Sequence, residues 1–206
     1  MDADELLRRY AAGERDFTGI DFSEVDFSEG EFSGADLSGI NLSGADLWYA
    51  NLIGTNFLGA NLEGVNFEAV DLSNANLSNA NLIGVCLENA GLNGANLDGA
   101  NLSAVRAGEA TFYDASLIGA NLSGASLLQC GFDRANFSHA NLRGAVVSHS
   151  FFMKANFSYA NLRDLVDGYE CSDAIFHDTI MPDGSIRSDS TGYKWPGRRD
   201  DIIESQ

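Results

Sequence analysis

Large apolar residues recur at every fifth position over most of this chain. The unit is well represented by Ala75-Asn76-Leu77-Ser78-Asn79, in which a small residue, an Asn or Asp, and a Leu or Phe are followed by two mostly polar or small residues. Taking the Leu or Phe as the centre of each unit, thirty centres follow one another from Phe17 to Leu162, and only Ala107 lacks a large side chain. Neither an α-helix, at about 3.6 residues per turn, nor a flat strand has this period.

A chain that turns a corner every five residues accounts for the period. Alternation places the centre and the small residue two positions before it on the inside, while the other three residues face water. Four such sides would close a coil of about twenty residues, and coils would stack roughly 4.8 Å apart, the spacing of hydrogen-bonded strands. The pattern predicts an all-β solenoid of about seven and a half coils, roughly 36 Å long, with Asn and Asp side chains stacked in ladders on its surface.

The A-(D/N)-L-x-x unit resembles that of the pentapeptide-repeat family over residues 15–164. This resemblance implies a right-handed quadrilateral β-helix. The stretches from Leu7 to Gly13 and from Met181 to Ser185 are similar to the ends of many cyanobacterial members, which points to a cyanobacterial source. We therefore predict a short N-terminal capping helix within residues 1–14 and the β-helix over 15–164. An irregular last coil and turn would occupy 165–186, and a tail 187–206.

Two stretches depart from the repeat. Residues 104–109 lose the sequence of the unit but keep its register, so we predict a local bulge or a slightly collapsed coil there. Phe176, with Ala174 two positions before it, looks like a further centre that is one residue out of phase.

The net charge of −18 is unevenly distributed. The first fifty residues carry twelve acids and three bases, and the next fifty carry five acids and no base. Phosphate contacts need Lys and Arg, so direct binding to nucleic acid is not expected. The chain has no apolar run near about eighteen residues and no signal-like N-terminus, so we expect a cytoplasmic protein without a membrane segment.

Residues that could carry chemistry do not assemble into a site. His139 and His149 fall on opposite sides of the predicted coil, and the three cysteines have no paired spacing. Asp16 and Asp36 would share one side, but no loop there supplies the carbonyls and bidentate Glu that Ca²⁺ sites use. We therefore predict no catalytic residues, no cofactor and no metal, and interpret the protein as non-enzymatic.

One outward stretch is apolar. Trp48, Ile53 and Leu58 occupy the slot directly after the centre, where Ser is usual, in three consecutive units, and Tyr49 follows Trp48. These residues would form a band around three sides of one coil. Three interpretations stay open: a protein-contact site, ordinary scattered exposed hydrophobic residues, or burial under the chain's own ends. Outward slots also turn apolar near the end of the repeat, at Val146, Phe151 and Met153.

Our favoured hypothesis is a non-enzymatic protein-interaction or scaffold protein, a monomer or weak dimer, whose partner is another protein. The resemblance implies such a role, since a cyanobacterial member that governs heterocyst differentiation binds regulatory proteins. The alternative is a DNA mimic, because other members resemble B-DNA in width and charge and inhibit or protect DNA gyrase. Those members dimerise through an apolar C-terminal helix, whereas the stretch from Arg198 to Gln206 is short and polar.

Overall fold

The computed structural model describes residues 3–14, 16–17, 20–167 and 171–189. Its regular elements are helix α1, Ala3–Ala11, and the strands β1, Thr179–Ile180, and β2, Ile186–Arg187, which pair in antiparallel fashion. A regular series of single parallel bridges holds together the long stretch between α1 and β1. The predicted tail lies outside the described residues from position 190 onward.

Residues twenty positions apart are bridged in parallel along the whole repeat. The series runs in unbroken register from residue 16 to residue 166. Up to Val147, each centre from Phe17 onward donates its N–H to a carbonyl nineteen residues further on, as Leu42 N–H does to Asn61 O at 2.9 Å. The chain therefore completes one coil in twenty residues, which is the length that four units of five predict.

A β-turn follows each centre. At most centres, the N–H of the residue three positions later donates to the carbonyl of the centre, as Ala45 N–H does to Leu42 O at 2.9 Å. The residue two positions after the centre has a positive φ, 69° at Gly44 and 59° at Asn74. Type II turns require this conformation at their third position, and Gly adopts it without strain. The turn therefore explains why Gly and Asn recur at this place in the unit.

The centres fill a continuous apolar interior. Phe112, Phe132 and Phe152 stack along the axis with ring centroids 4.7 and 4.9 Å apart. These separations match the spacing of about 4.8 Å between hydrogen-bonded strands. The rings thus repeat in step with the backbone ladder, and all three are fully buried.

Hydroxyl groups replace alanine at a few of the small interior positions. Thr55 Oγ1 donates to Phe32 O at 2.9 Å. Ser150 Oγ enters a turn of the preceding coil, where it donates to Leu127 O at 2.6 Å and accepts the Cys130 N–H at 2.9 Å. Because these buried polar atoms have partners, they avoid the cost of an unsatisfied group.

Amide side chains form the ladder that the sequence predicts. Asn41 Nδ2 donates to Asp21 Oδ1 at 2.8 Å, Asn61 donates to Asn41 at 2.9 Å, and Asn81 donates to Asn61 at 3.0 Å. The same oxygens also bind the turns, since Asn41 Oδ1 accepts the Ser43 N–H at 3.2 Å. This confirms the expected role of the residue before the centre, which links one coil to the next and fixes its own turn.

Residues 104–109 do not form the predicted bulge. Arg106 bridges Cys86 and Ser126 at the usual spacing, and Ala107 N–H donates to Ser126 O at 2.9 Å. The prediction of a bulge was wrong, because the backbone ladder, and not the size of the centre side chain, sets the register; the slightly collapsed coil stays a prediction. The carbonyl of Ala107 instead contacts the thiol of Cys130 in the next coil.

The last coil is one residue shorter than the others. Ile175 bridges Asn156, and Ile180 bridges Asn161, at a spacing of nineteen residues. This is the phase shift that the sequence indicates at Phe176. Three buried residues take the centre positions of this coil: Cys171, Phe176 and Met181.

Helix α1 packs against the first coils through Leu6 and Tyr10. Leu6 is buried and lies beside Phe27 and Phe32. Tyr10 OH donates to Ser33 O at 2.6 Å, and its ring meets that of Phe32 edge to face at 5.8 Å. The helix therefore adds an apolar side chain to the N-terminal end of the interior.

Candidate protein-contact surface

The four residues of the predicted contact site lie on the outside of one coil, and we call them the contact band. Trp48, Ile53 and Leu58 each follow a buried centre directly, so their side chains point away from the interior. Their exposed fractions are 39%, 37% and 44%, and Tyr49 is 63% exposed. The part of the chain that the structure describes therefore leaves all four open to a partner.

Hydrogen bonds fix the backbone beneath the aromatic pair of this band. Trp48 N–H donates to Asp46 Oδ1 at 3.0 Å, and Trp48 O accepts the N–H of Glu29 in the preceding coil at 2.7 Å. Tyr49 N–H donates to Glu68 O in the following coil at 3.0 Å. The two side chains thus project from a turn held on both sides, and a partner would not have to order this backbone on binding.

The four side chains do not share one flat surface. The rings of Trp48 and Tyr49 pack together with centroids 5.4 Å apart and an angle of 39° between their planes. Ile53 and Leu58 belong to the next two sides of the coil, because each follows the centre of a later unit. A partner can engage the ring pair on one side and can reach Ile53 only around a corner.

Carboxylates surround Trp48 on its own side of the rod. Asp26 and Asp46 are bridged neighbours in the position before the centre, and Glu68 occupies the same slot as Trp48 one coil later. The hydroxyl and the N–H of Ser28 bind Asp26 and hold the pKa of its carboxyl below the usual value, so it is ionised at neutral pH. The sequence has no Lys or Arg between residues 16 and 105, so this side of the rod is negative.

Further apolar side chains are exposed beyond the contact band. Tyr113, Ile118 and Leu128 each follow a centre, as Trp48 does, so the same rule applied along the whole repeat would have found them. Phe151 and Met153, which the sequence places in outward slots, are 43% and 42% exposed. The C-terminal half of the rod therefore carries its own group of exposed apolar residues.

Among the described residues, no cluster of three or more His, Cys, Asp or Glu side chains could hold a metal ion. His139 stacks on Tyr159 with ring centroids 4.8 Å apart, and His149 lies two sides away around the coil. Burial raises the pKa of the Cys130 thiol to about 12, which keeps it protonated and unreactive at neutral pH. In the same part of the chain, no helix is long and apolar enough to cross a membrane.

Solved structures of repeat proteins resemble this chain. HetL from the cyanobacterium Nostoc sp. strain PCC 7120, a pentapeptide repeat protein involved in heterocyst differentiation regulation, is 29% identical over 91% of this chain and 100% of its own, with a TM-score of 0.31. QnrB1, a plasmid-mediated fluoroquinolone resistance protein, is 18% identical over 76% and 91%, with a TM-score of 0.44. Rfr23 from the cyanobacterium Cyanothece 51142 is 23% identical over 72% and 97%, with a TM-score of 0.31. No curated protein matches this chain significantly.

The repeat itself matches a family model. The model for pentapeptide repeats finds eight copies, over residues 14–44, 40–79, 60–99, 95–130 and 130–164. These ranges cover more than half of the chain and coincide with the stretch in which residues twenty apart are bridged. The chain therefore belongs to the pentapeptide-repeat family, whose members are right-handed β-helices.

Proposed function

We propose that this protein is a non-enzymatic interaction protein that binds another protein through the contact band. The observation that carries the proposal is the exposed ring pair of Trp48 and Tyr49 on a backbone held from both neighbouring coils. Aromatic anchors often dominate the energy of an interface, at about 2 kcal/mol or more each. A preformed platform adds to this because little freedom is lost on binding.

The charge around the ring pair favours a basic partner. Asp26, Asp46 and Glu68 lie on the same side as Trp48, and no Lys or Arg occurs near them in the sequence. Complementary charge speeds association and excludes acidic competitors, and its effect at exposed sites decreases as salt screens it. We therefore expect the partner to present Lys or Arg around an apolar pocket, and its binding to weaken with ionic strength.

Cys86 offers a way to test where the partner binds. It is half-buried on the side that carries Trp48, two coils further along, which is roughly 10 Å at the strand spacing. Cys130 and Cys171 are buried, so a thiol-reactive photo-crosslinker should attach to Cys86 in the folded protein. After irradiation in an extract of the source cells, we expect one basic protein to be attached at Cys86, and less of it at high salt.

The matched control moves the crosslinker to another side of the rod. Ser123 lies on the side between those of Leu58 and Trp48, several coils away from the band, so a Cys86→Ser and Ser123→Cys variant carries one accessible thiol there. The proposal predicts much weaker capture from this position. Equal capture of the same protein from both positions would contradict binding at the contact band.

A second candidate function, mimicry of DNA toward gyrase, is favoured by one observation. Thirteen carboxylates and no Lys or Arg lie between residues 16 and 105. A DNA supercoiling assay decides between the two: inhibition or protection of gyrase by micromolar protein would support mimicry, and no effect would remove it.

We also infer that the coil is quadrilateral and right-handed, and that α1 caps its N-terminal end. Support comes from the four-unit coil, from the family, and from the packing of Leu6 against the first coils. The first coil of a solenoid otherwise exposes apolar side chains and unpaired backbone groups, so repeat arrays need terminal caps.

Truncating Leu6 to Ala tests the cap. Removing a buried Leu side chain costs about 2–5 kcal/mol, and in a repeat array the loss is felt mainly by the neighbouring coil. We expect faster hydrogen exchange at the Phe17 and Phe22 amides, which bond to the second coil, and unchanged exchange at Leu97. The control Glu5→Ala alters the same helix at a side chain outside the core. Unchanged exchange in the first coil of the Leu6 variant would argue against a capping role.

A further inference from the structure

We propose that two copies of this chain associate through an apolar surface on the C-terminal half of the rod, formed by Tyr113, Gly131, Phe151 and Met153. We call this surface the self-association face. It lies on a different part of the rod from the contact band, and the proposal does not depend on the function proposed above. Self-association would give a role to exposed apolar residues that are not part of the contact band.

All four residues lie on one side of the rod. Tyr113 and Met153 follow the centres Phe112 and Phe152 directly, and Phe151 is bridged to Gly131 in the position before the centre. Beneath them the phenylalanine centres are stacked face to face at 4.7 and 4.9 Å, so the side is straight over three coils. Tyr113, Phe151 and Met153 are each about two-fifths exposed.

Gly131 lets the tyrosine lie flat against this side. A Cβ placed on Gly131 would be 2.5 Å from the Tyr113 ring, closer than real Cβ atoms approach, so the ring occupies the space that a side chain would take. The φ of Gly131 is not in the left-handed region, so its backbone does not require glycine. Because Gly131 has no side chain, the Tyr113 ring can pack against its backbone. A position that is polar in most units thereby becomes part of the apolar surface.

Charges around the self-association face nearly cancel, although acids slightly outnumber bases because Glu109 lies beside Phe151. Arg134 forms a two-pronged ion pair with Asp114, at 2.6 and 2.7 Å, and Lys154 and Asp133 add one charge of each sign. The N-terminal half, in contrast, has thirteen acids and no base between residues 16 and 105. Two copies that each carry a net charge of −18 repel one another, so they can approach closely only where the local charge is near zero.

Repulsion between the acidic halves selects an antiparallel arrangement. A parallel pair would set the two acidic halves side by side, whereas an antiparallel pair overlaps only the C-terminal halves. A two-fold axis at the level of Asp133 would place Tyr113 opposite Met153 of the second copy, and Asp114 opposite its Lys154. The two Asp133 side chains would meet near the axis, where each has Arg134 as its neighbour in the chain.

The size of the surface sets the expected strength. One side over three to four coils is smaller than the roughly 800 Å² per partner of a standard interface, so the dimer should be weak. We expect a Kd on the order of 100 µM at moderate salt. Because screening reduces the repulsion between the acidic halves, high salt should strengthen this association, whereas it should weaken binding of a basic partner at the contact band.

Sedimentation velocity on the full chain, at rising protein concentration and at two salt concentrations, tests the proposal. We expect reversible dimers that increase with salt, and a Kd at least about tenfold higher for Phe151→Ser with Met153→Ser. Serine occupies both outward positions in other units, so the double variant should keep its circular dichroism and melting temperature. The control Ile118→Ser removes an equally exposed apolar residue from another side and should leave the Kd unchanged.

A second variant separates loss of the face from loss of fold. Gly131→Asn restores a common residue of this slot and displaces the Tyr113 ring, so it should weaken association without lowering stability. A wild-type chain that stays monomeric up to about 1 mM would overturn the proposal. Association that weakens with salt, or that Ile118→Ser weakens as much as the double variant does, would also overturn it.

Discussion

Replacing Leu97 with aspartate should unfold the rod. Leu97 is a centre in the middle of the repeat, and its N–H donates to Ser116 O at 2.7 Å. Its side chain is fully buried, so a charge placed there has no contact with water. The variant loses the burial of a leucine, which is worth about 2–5 kcal/mol, and places an unpaired carboxylate in a dry interior. Domains are stable by only about 5–15 kcal/mol, so we expect the cooperative melting transition to disappear.

The matched control is Ser103→Asp, which adds the same single negative charge one coil side away. Ser103 follows the centre Leu102, and the chain already carries an acid in the equivalent outward slot at Asp98. This variant should melt within about 0.5 kcal/mol of the wild type, as surface substitutions usually do. The measurements are thermal and urea unfolding followed by circular dichroism. A Leu97→Asp protein that melts like the control would contradict the assignment of the centres to the interior.

The five-residue period was sufficient to predict the coil, because a chain that turns after every five residues repeats both its sequence and its backbone path at the same spacing. Alternation decides which residues face inward, and the number of units in a coil decides its length; the bridges between residues twenty apart confirm the length of four units. The Asn ladder was predictable for a similar reason, since the residue before the centre recurs directly above its counterpart, as Asn61 does above Asn41.

Other features depended on contacts between coils that a linear pattern does not contain. The hydroxyl of Ser150 enters the turn formed by Leu127 and Cys130, twenty or more residues earlier, and nothing in its own unit indicates this. The bulge predicted within residues 104–109 does not form, because the sequence of the unit changes at Ala107 while the backbone ladder keeps its spacing.

The candidate contact residues were found from their slots, but their arrangement was not. The position after the centre indicates that Trp48, Ile53 and Leu58 point outward. The ring contact between Trp48 and Tyr49, and the bonds that fix this turn from Glu29 and Glu68, require coordinates. The exposed rings and the surrounding carboxylates of this chain predict that the partner's surface is apolar and basic. They do not identify the partner, because its identity also depends on its own sequence.

Trp48→Ala combined with Ile53→Ser should abolish binding of the partner and leave the rod intact. Both side chains lie outside the interior, and Ser is common in their slot, so the melting temperature should stay close to that of the wild type. Loss of an aromatic anchor costs about 2 kcal/mol or more, and loss of the isoleucine contact adds to it. We therefore expect the Kd for the captured partner, measured by calorimetry, to rise at least about 100-fold.

The control for this variant removes equally exposed apolar residues from the same slot in other coils. Ile118→Ser with Leu128→Ser changes two residues that are 38% and 40% exposed, in the half of the rod where acids and bases balance. General loss of apolar surface would weaken binding in both double variants, whereas a specific contact band predicts loss only with Trp48 and Ile53. Retention of the partner by the Trp48 and Ile53 variant, or equal loss in the control, would contradict the contact band. The double variant could lose binding while the wild type binds equally well at all salt concentrations. That result would support Trp48 as an anchor but exclude a basic partner, because attraction to Asp26, Asp46 and Glu68 must weaken as salt screens it.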